Sequence, residues 1–172
     1  RRRHTRYISV TGVQTCALPI SEWPLPVNLA VSLHAARNDL RNELVPINKR
    51  YPIEDLVEAC NDYLRERRRR VSFEWALIDR VNDTRRDANE LALLCKRLSP
   101  HAHVNISPLN PTPGWPTRGS SPARVREFAD ALADLGVNAT VRRNRGTDID
   151  AACGQLAAGQ NITPVSFGRA DS

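Results

Sequence analysis

Two hydrophobic periods alternate along the chain. Val27, Leu29, Val31 and Leu33 recur at every second position, interleaved with Asn28, Ala30, Ser32 and His34, which predicts a half-buried strand. Pro52, a residue suited to the first turn of a helix, opens a longer period. Ile53, Leu56, Val57, Cys60, Tyr63 and Leu64 then share one helical face. Val71 to Ile78 is apolar and partly β-branched, with Glu74 set inside it, and reads as a second strand. Asp83 or Thr84 offers a cap for the next helix, whose apolar face is Ala88, Leu91, Ala92, Cys95 and Leu98. A third strand covers Ala102 to Ser107, followed by a proline-rich loop from Pro108 to Pro116.

Ser121 and Pro122 open a further helix, with Val125, Phe128, Ala129, Leu132 and Leu135 on its inner face and Gly136 at its end. Ala139 to Arg142 form a fourth strand, and Asp148 to Ala157 a short final segment. Strand and helix in regular alternation predict an α/β fold, with parallel strands joined by crossover helices. About four such units are present, half of a (β/α) barrel. The main domain spans 21–160. Residues 161–172 have no period and are expected to be a disordered tail.

Charge changes this picture little. Of 25 basic and 19 acidic residues, four arginines and no acid fall in residues 1–20, so the remainder carries only +2. The stretch Val10 to Ile20, VTGVQTCALPI, resembles a translated sequencing-library adapter, and residues 1–20 are read as a non-native segment. A looser basic group, Arg118, Arg124, Arg126, Arg142, Arg143 and Arg145, could meet phosphates, but it is offset in part by Glu127, Asp130 and Asp134. No run reaches the roughly eighteen apolar residues of a membrane span. The basic start lacks the apolar core of a secretory signal, so a cytoplasmic location is expected.

The four cysteines, Cys16, Cys60, Cys95 and Cys153, have no metal-ligand spacing, so no metal site is read from this chain. Cys60 and Cys95 fall on helical core faces. Cys153 shares a weak stripe with Ile149, Ala152 and Leu156. Gly154 and the upstream arginines favour a reactive thiolate there, while Asp148 and Asp150 oppose it, and the residues alone leave the choice open. In β/α architectures chemistry gathers at the C-terminal ends of the strands. That places Ser32, Leu33 and His34, then Asn105 and Asn110, then Arg142 to Gly146, in the candidate region.

Five phrases, NLAVSLHA, ELVPIN, VSFEWALID with VND, SPLNPTPG and RGTDIDAACGQLA, together resemble the radical-SAM methyltransferases that modify C2 of an adenine in 23S ribosomal RNA, a family that also acts on tRNA. The likeness covers about Leu25 to Ala158. It implies the C-terminal half of a radical-SAM partial barrel, S-adenosylmethionine contacts at Ser32, Leu33, His34 and Asn110, and Cys153 as a methyl-carrying cysteine. It implies 23S rRNA and tRNA as partners, S-adenosylmethionine and a [4Fe–4S] cluster as cofactors, and a monomer when intact.

The family's cluster motif C-x-x-x-C-x-x-C is absent, so this stretch alone is expected to bind no cluster and to be inactive. Arg80 stands where the family usually has glycine, and Ser107 where it has an aliphatic residue. The alternatives are the related branch that methylates C8 of the same adenine, and a non-catalytic RNA-binding remnant.

Overall fold

The computed structural model describes residues 28–67, 69–98, 102–110 and 117–142. Strand β1 (Leu29–Ser32) pairs in parallel with β2 (Val71–Leu77), β2 with β3 (Ala102–Pro108), and β3 with β4 (Ala139–Val141). The sheet order is therefore the sequence order. Helix α2 (Ile53–Arg67) connects β1 to β2, α3 (Arg85–Lys96) connects β2 to β3, and α4 (Pro122–Asp134) connects β3 to β4. This is the alternating α/β arrangement that the hydrophobic periods predict.

Alternation along the strands decides which face the helices cover. Leu29, Val31, Val71, Phe73, Trp75, Leu77, Val104 and Ile106 lie in one core cluster with the predicted stripes of α2 and α3. Trp75 sits at its centre, wholly buried, with its ring stacked on Phe128 of α4 at 5.9 Å between centroids. The opposite face carries Ala30, Ser32, Ser72, Glu74, Ala76, His103, Asn105, Ser107 and Thr140. One face is oil and the other is largely polar.

The helix termini follow from local chemistry. Thr84 is the N-cap of α3, and a reciprocal capping box with Asp87 satisfies two donors that would otherwise be orphaned. Ser121 caps α4 ahead of Pro122. Gly136, at φ 76, turns the chain out of α4, a conformation that costs glycine little. The inner face of α4 is rotated from the expected stripe. Ala131 is buried with Val125, Phe128 and Leu132, whereas Ala129 and Leu135 only pack against the core edge.

One region departs from the sequence reading. Helix α1 (Asn38–Leu44) and a 3₁₀ turn (Pro46–Lys49) occupy the stretch between β1 and α2. At seven residues α1 is too short to display a helical period, and its inward side includes the buried Arg41 beside Leu40. Among the described residues, no helix is long and apolar enough to cross a membrane.

Candidate functional site

Parallel pairing brings the C-terminal ends of β1, β2 and β3 to one edge of the sheet, and with them the segments that begin at Leu33, Ile78 and Leu109. The β2–α3 connection, Ile78 to Thr84, is the hub that fastens the other two. Its centre is Asn82, wholly buried. The Asn82 carboxamide donates to the carbonyls of His34 and Ala76, both at 2.8 Å, and accepts from Ile78 N at 2.7 Å. The Asn82 carbonyl also accepts from Trp75 Nε1 at 3.3 Å, so the core tryptophan is tied to the same loop.

The stretch Ser32-Leu33-His34 is held from both sides. Leu33 N donates to the Glu74 carbonyl at 3.1 Å, extending the β1–β2 ladder by one bond. The buried guanidinium of Arg41 donates to the carbonyls of Leu33 (3.2 Å) and Ser32 (3.3 Å), and to Asn48 Oδ1 at 2.6 Å. Burial lowers the Arg41 pKa from its usual value, and those three acceptors are what a buried guanidinium needs to stay charged. Asn48 in turn bonds Asn38 and Asn42, which is why an arginine can face inward from α1.

His34 then turns sharply. Its φ is 59, and Ala35 N donates back to Leu33 O at 2.8 Å, closing a three-residue turn. The turn lays the imidazole over the end of β2, where Nδ1 accepts from Ala76 N at 3.0 Å. Burial lowers the pKa of His34, Arg41 lowers it further, and Glu74 pulls the other way. Leu33 itself is core, with no exposed surface, whereas the Ser32 side chain projects from the polar face and is exposed.

Asn110 follows β3, and the loop that carries it is closed at its base by backbone contacts. Leu109 N and Ser120 N both donate to Leu77 O, at 3.0 and 3.3 Å, and Asp79 N donates to Arg118 O at 2.9 Å. Gly119 forms an antiparallel bridge with Ile78, and a Cβ there would lie 2.3 Å from Leu109 O, so only glycine fits. Ser120 Oγ donates to Asp83 Oδ2 at 2.7 Å, and Asp83 Oδ1 accepts from Arg80 N at 3.1 Å.

Below these loops a polar row runs across the open face. Ser32, Glu74, Asn105 and Thr140 are register partners on successive strands. Asn105 Nδ2 donates to Glu74 at 2.7 Å, and Arg142 lies 3.8 Å from the other carboxylate oxygen. His103 bonds Thr140 through Nε2 at 3.0 Å. A separate cleft of about 550 Å³ opens beside β4, walled by Pro108, Val125 and Val141 with Arg126 and Arg142 at its rim. None of the four predicted cofactor contacts lines it.

Three of those contacts, Ser32, Leu33 and His34, form one fixed segment, and Asn110 lies beyond the strand two places along the sheet. Cys153, Cys16 and Arg143 to Gly146 lie outside the described residues. Sequence reading passed over Asn82 and Arg41. Both are polar residues in short connections, and their importance lies in bonds to distant carbonyls, for which no local pattern exists.

Comparison with known proteins fits this architecture. A dual-specificity RNA methyltransferase RlmN, described as probable, from Caldicellulosiruptor saccharolyticus is 47% identical over 150 residues, which are 87% of this chain and 43% of that protein. The dual-specificity RNA methyltransferase RlmN 1 of Myxococcus xanthus is 45% identical over 151 residues, covering 88% and 42%. A crystal structure of a radical SAM methyltransferase from Sphaerobacter thermophilus superposes with a TM-score of 0.79 at 49% identity, covering 84% of this chain and 42% of that one.

The chain belongs to the RlmN family. It spans less than half the length of the curated relatives it matches. A domain of pyruvate-formate lyase-activating enzyme from Bacteroides vulgatus, at 14% identity and a TM-score of 0.54 over 67% of each chain, shares the fold alone. No family model matches the chain.

The cofactors that radical-SAM membership implies fit unequally. At the strand ends His34 has one ring nitrogen with no partner among the described residues and Ser32 an exposed hydroxyl, which suits a polar nucleoside ligand such as S-adenosylmethionine. The described residues offer no ligand set for an iron–sulfur cluster. The described cysteines, Cys60 and Cys95, are buried on α2 and α3, and burial pushes both thiols up to about 12. No group of three metal-ligating side chains occurs among the described residues.

Proposed function

We propose that this chain is the C-terminal part of a radical-SAM enzyme that methylates C2 of an adenine in 23S rRNA and in tRNA, in the cytoplasm and as a monomer. The observation that carries the reading is the fixed Ser32-Leu33-His34 segment at the strand ends of a parallel sheet, in a chain 47% identical to a protein named as a dual-specificity RNA methyltransferase. S-adenosylmethionine, when bound, supplies the methyl group.

The described residues supply its seat. Ser32 offers a hydroxyl, His34 a ring N–H, and Asn110 a position on the loop beyond β3. Arg41 and Asn82 keep that seat from shifting, because every carbonyl from Ser32 to His34 is already bonded. Cys153 is the proposed methyl carrier; its thiolate would take the methyl by displacement, the sulfonium S–CH3 bond breaking with S-adenosylhomocysteine as the leaving group. An arginine-bearing approach through Arg142 suits a polyanionic substrate.

Mass spectrometry of 23S rRNA and tRNA tests the reading, using a host that lacks the modification and carries the intact gene. The expected product is 2-methyladenosine in both RNAs, lost in Cys153→Ala. Finding 8-methyladenosine instead would move the enzyme to the related C8 branch, and unmodified RNA with the protein present would refute the assignment.

A further inference from the structure

His34 has two ring nitrogens, and one is committed. Nδ1 lies 3.0 Å from Ala76 N. A backbone N–H only donates, so Nδ1 accepts and the ring proton of the neutral imidazole resides on Nε2. No hydrogen bond from Nε2 is made among the described residues. The ring reaches Ala76 only because His34 adopts φ 59, a backbone state that residues other than glycine ordinarily avoid.

Asn82 is what compensates for that state. Its Nδ2 bonds both the His34 carbonyl and the Ala76 carbonyl, while Oδ1 accepts from Ile78 N. One wholly buried carboxamide thus ties the residue that bears the ring to the residue whose N–H orients the ring. The arrangement needs two donors and one acceptor on one short side chain, which asparagine has and which aspartate, serine and leucine lack.

We propose that Asn82 is a positioning residue of the cofactor site, fixing His34 so that its imidazole presents Nε2–H, a donor and not an acceptor, to the ligand. This rests on the reading of His34 as an S-adenosylmethionine contact. The ligand atom opposite Nε2 is then an acceptor, either a carboxylate oxygen or an adenine ring nitrogen. The charged groups facing the ring are Arg41, which disfavours a second proton, and Glu74, which favours one. Protonation would set an Nδ1–H against the Ala76 N–H, so the seat works with the neutral ring.

Long-range ¹H–¹⁵N spectra of the full chain read both ring nitrogens, with His34→Gln giving the assignment. The expected result is a single Nε2–H tautomer at neutral pH and a titration midpoint below the ordinary 6.5. Asn82→Ser is expected to give mixed tautomers and a midpoint moved back toward that value. A wild-type Nδ1–H tautomer overturns the proposal, and so does a folded Asn82→Ser protein with an unchanged tautomer and midpoint.

If Asn82→Ser does not fold, exchange of the wild-type Asn82 side-chain amide protons decides. Slow exchange is expected of a buried group with two acceptors, and exchange at the rate of a free amide overturns the proposal. Added S-adenosylmethionine should shift Nε2. A signal that keeps its tautomer but ignores S-adenosylmethionine overturns the cofactor reading while leaving the hold of Asn82 on His34 measured separately.

Discussion

Replacing Arg80 with glycine should stabilise this protein. Arg80 sits at φ 56, in the turn that leaves β2. Left-handed backbone costs an L-residue about 1–2 kcal/mol, and the larger unfolded-state freedom of glycine takes back about 0.5–1 kcal/mol. The lost side chain weighs little, since it is 91% exposed and its ion pair with Asp79 is 3.5 Å long. The bond from Arg80 N to Asp83 uses the main chain and survives the change. The net expectation is a gain of about 0.5–1 kcal/mol, or a rise of roughly 1–4 °C in Tm for a chain of this size. Equilibrium urea unfolding followed by circular dichroism measures it, with Arg80→Ala as the control. Alanine keeps the strained backbone and should give no gain. A stabilisation by alanine equal to that by glycine, or a loss with glycine, would show that the left-handed turn stores no strain.

Trp75→Ala should cost about 3–5 kcal/mol, because it empties the wholly buried centre of the core and removes the stack on Phe128; the urea midpoint should drop accordingly, and an unchanged midpoint would exclude that packing. Gly119→Ala should destabilise by driving a Cβ into the Leu109 carbonyl, and should lower Tm more than alanine at Gly136, where open space surrounds the position but φ is positive. Stability should also fall on acidification. His34 and His103 both have folded pKa values lowered by burial, so their contribution is present above the unfolded value of 6.5 and is lost as pH falls through the folded values. Unfolding free energies measured from pH 7.5 to 5 check the sign. Cys60 and Cys95, with thiols near 12, should resist alkylation at pH 8 in the native protein and react once urea unfolds it; prompt native labelling of either would contradict their burial.

Where a segment was long enough to show its period, the structure could be read in advance. The stripe Ile53, Leu56, Val57, Cys60, Tyr63 and Leu64 is buried along its whole length, and β2 and β3 end within a residue of where the apolar alternation ends. Helix α1 has no such signature, since its seven residues bury an arginine, and an arginine turned inward contradicts the hydrophobic code until its three acceptors are seen. The same reason hid Asn82. Ser32, Leu33, His34 and Asn110 are candidates by resemblance and by the rule that strand ends carry chemistry. What makes the first three rigid was not reachable, because it consists of bonds between residues as far as 48 positions apart. Arg80 falls between these cases. Resemblance marked its position as one for glycine, and the backbone angle supplies the cause.

A sheet whose strands stand side by side in the order in which they occur along the chain has a consequence for how it is made. Each new strand docks on the one before it, so its contacts are closed by one local crossover and the loop entropy lost at each step stays modest. Assembly can proceed as a front that moves in one direction, with β2 and the Asn82 loop in place before β3 arrives to lean on Leu77. Synthesis from the N-terminus presents the units in that same order. The Ser32-Leu33-His34 segment, at the β1–β2 edge, would then be held by the Asn82 loop while the later strands were still being added.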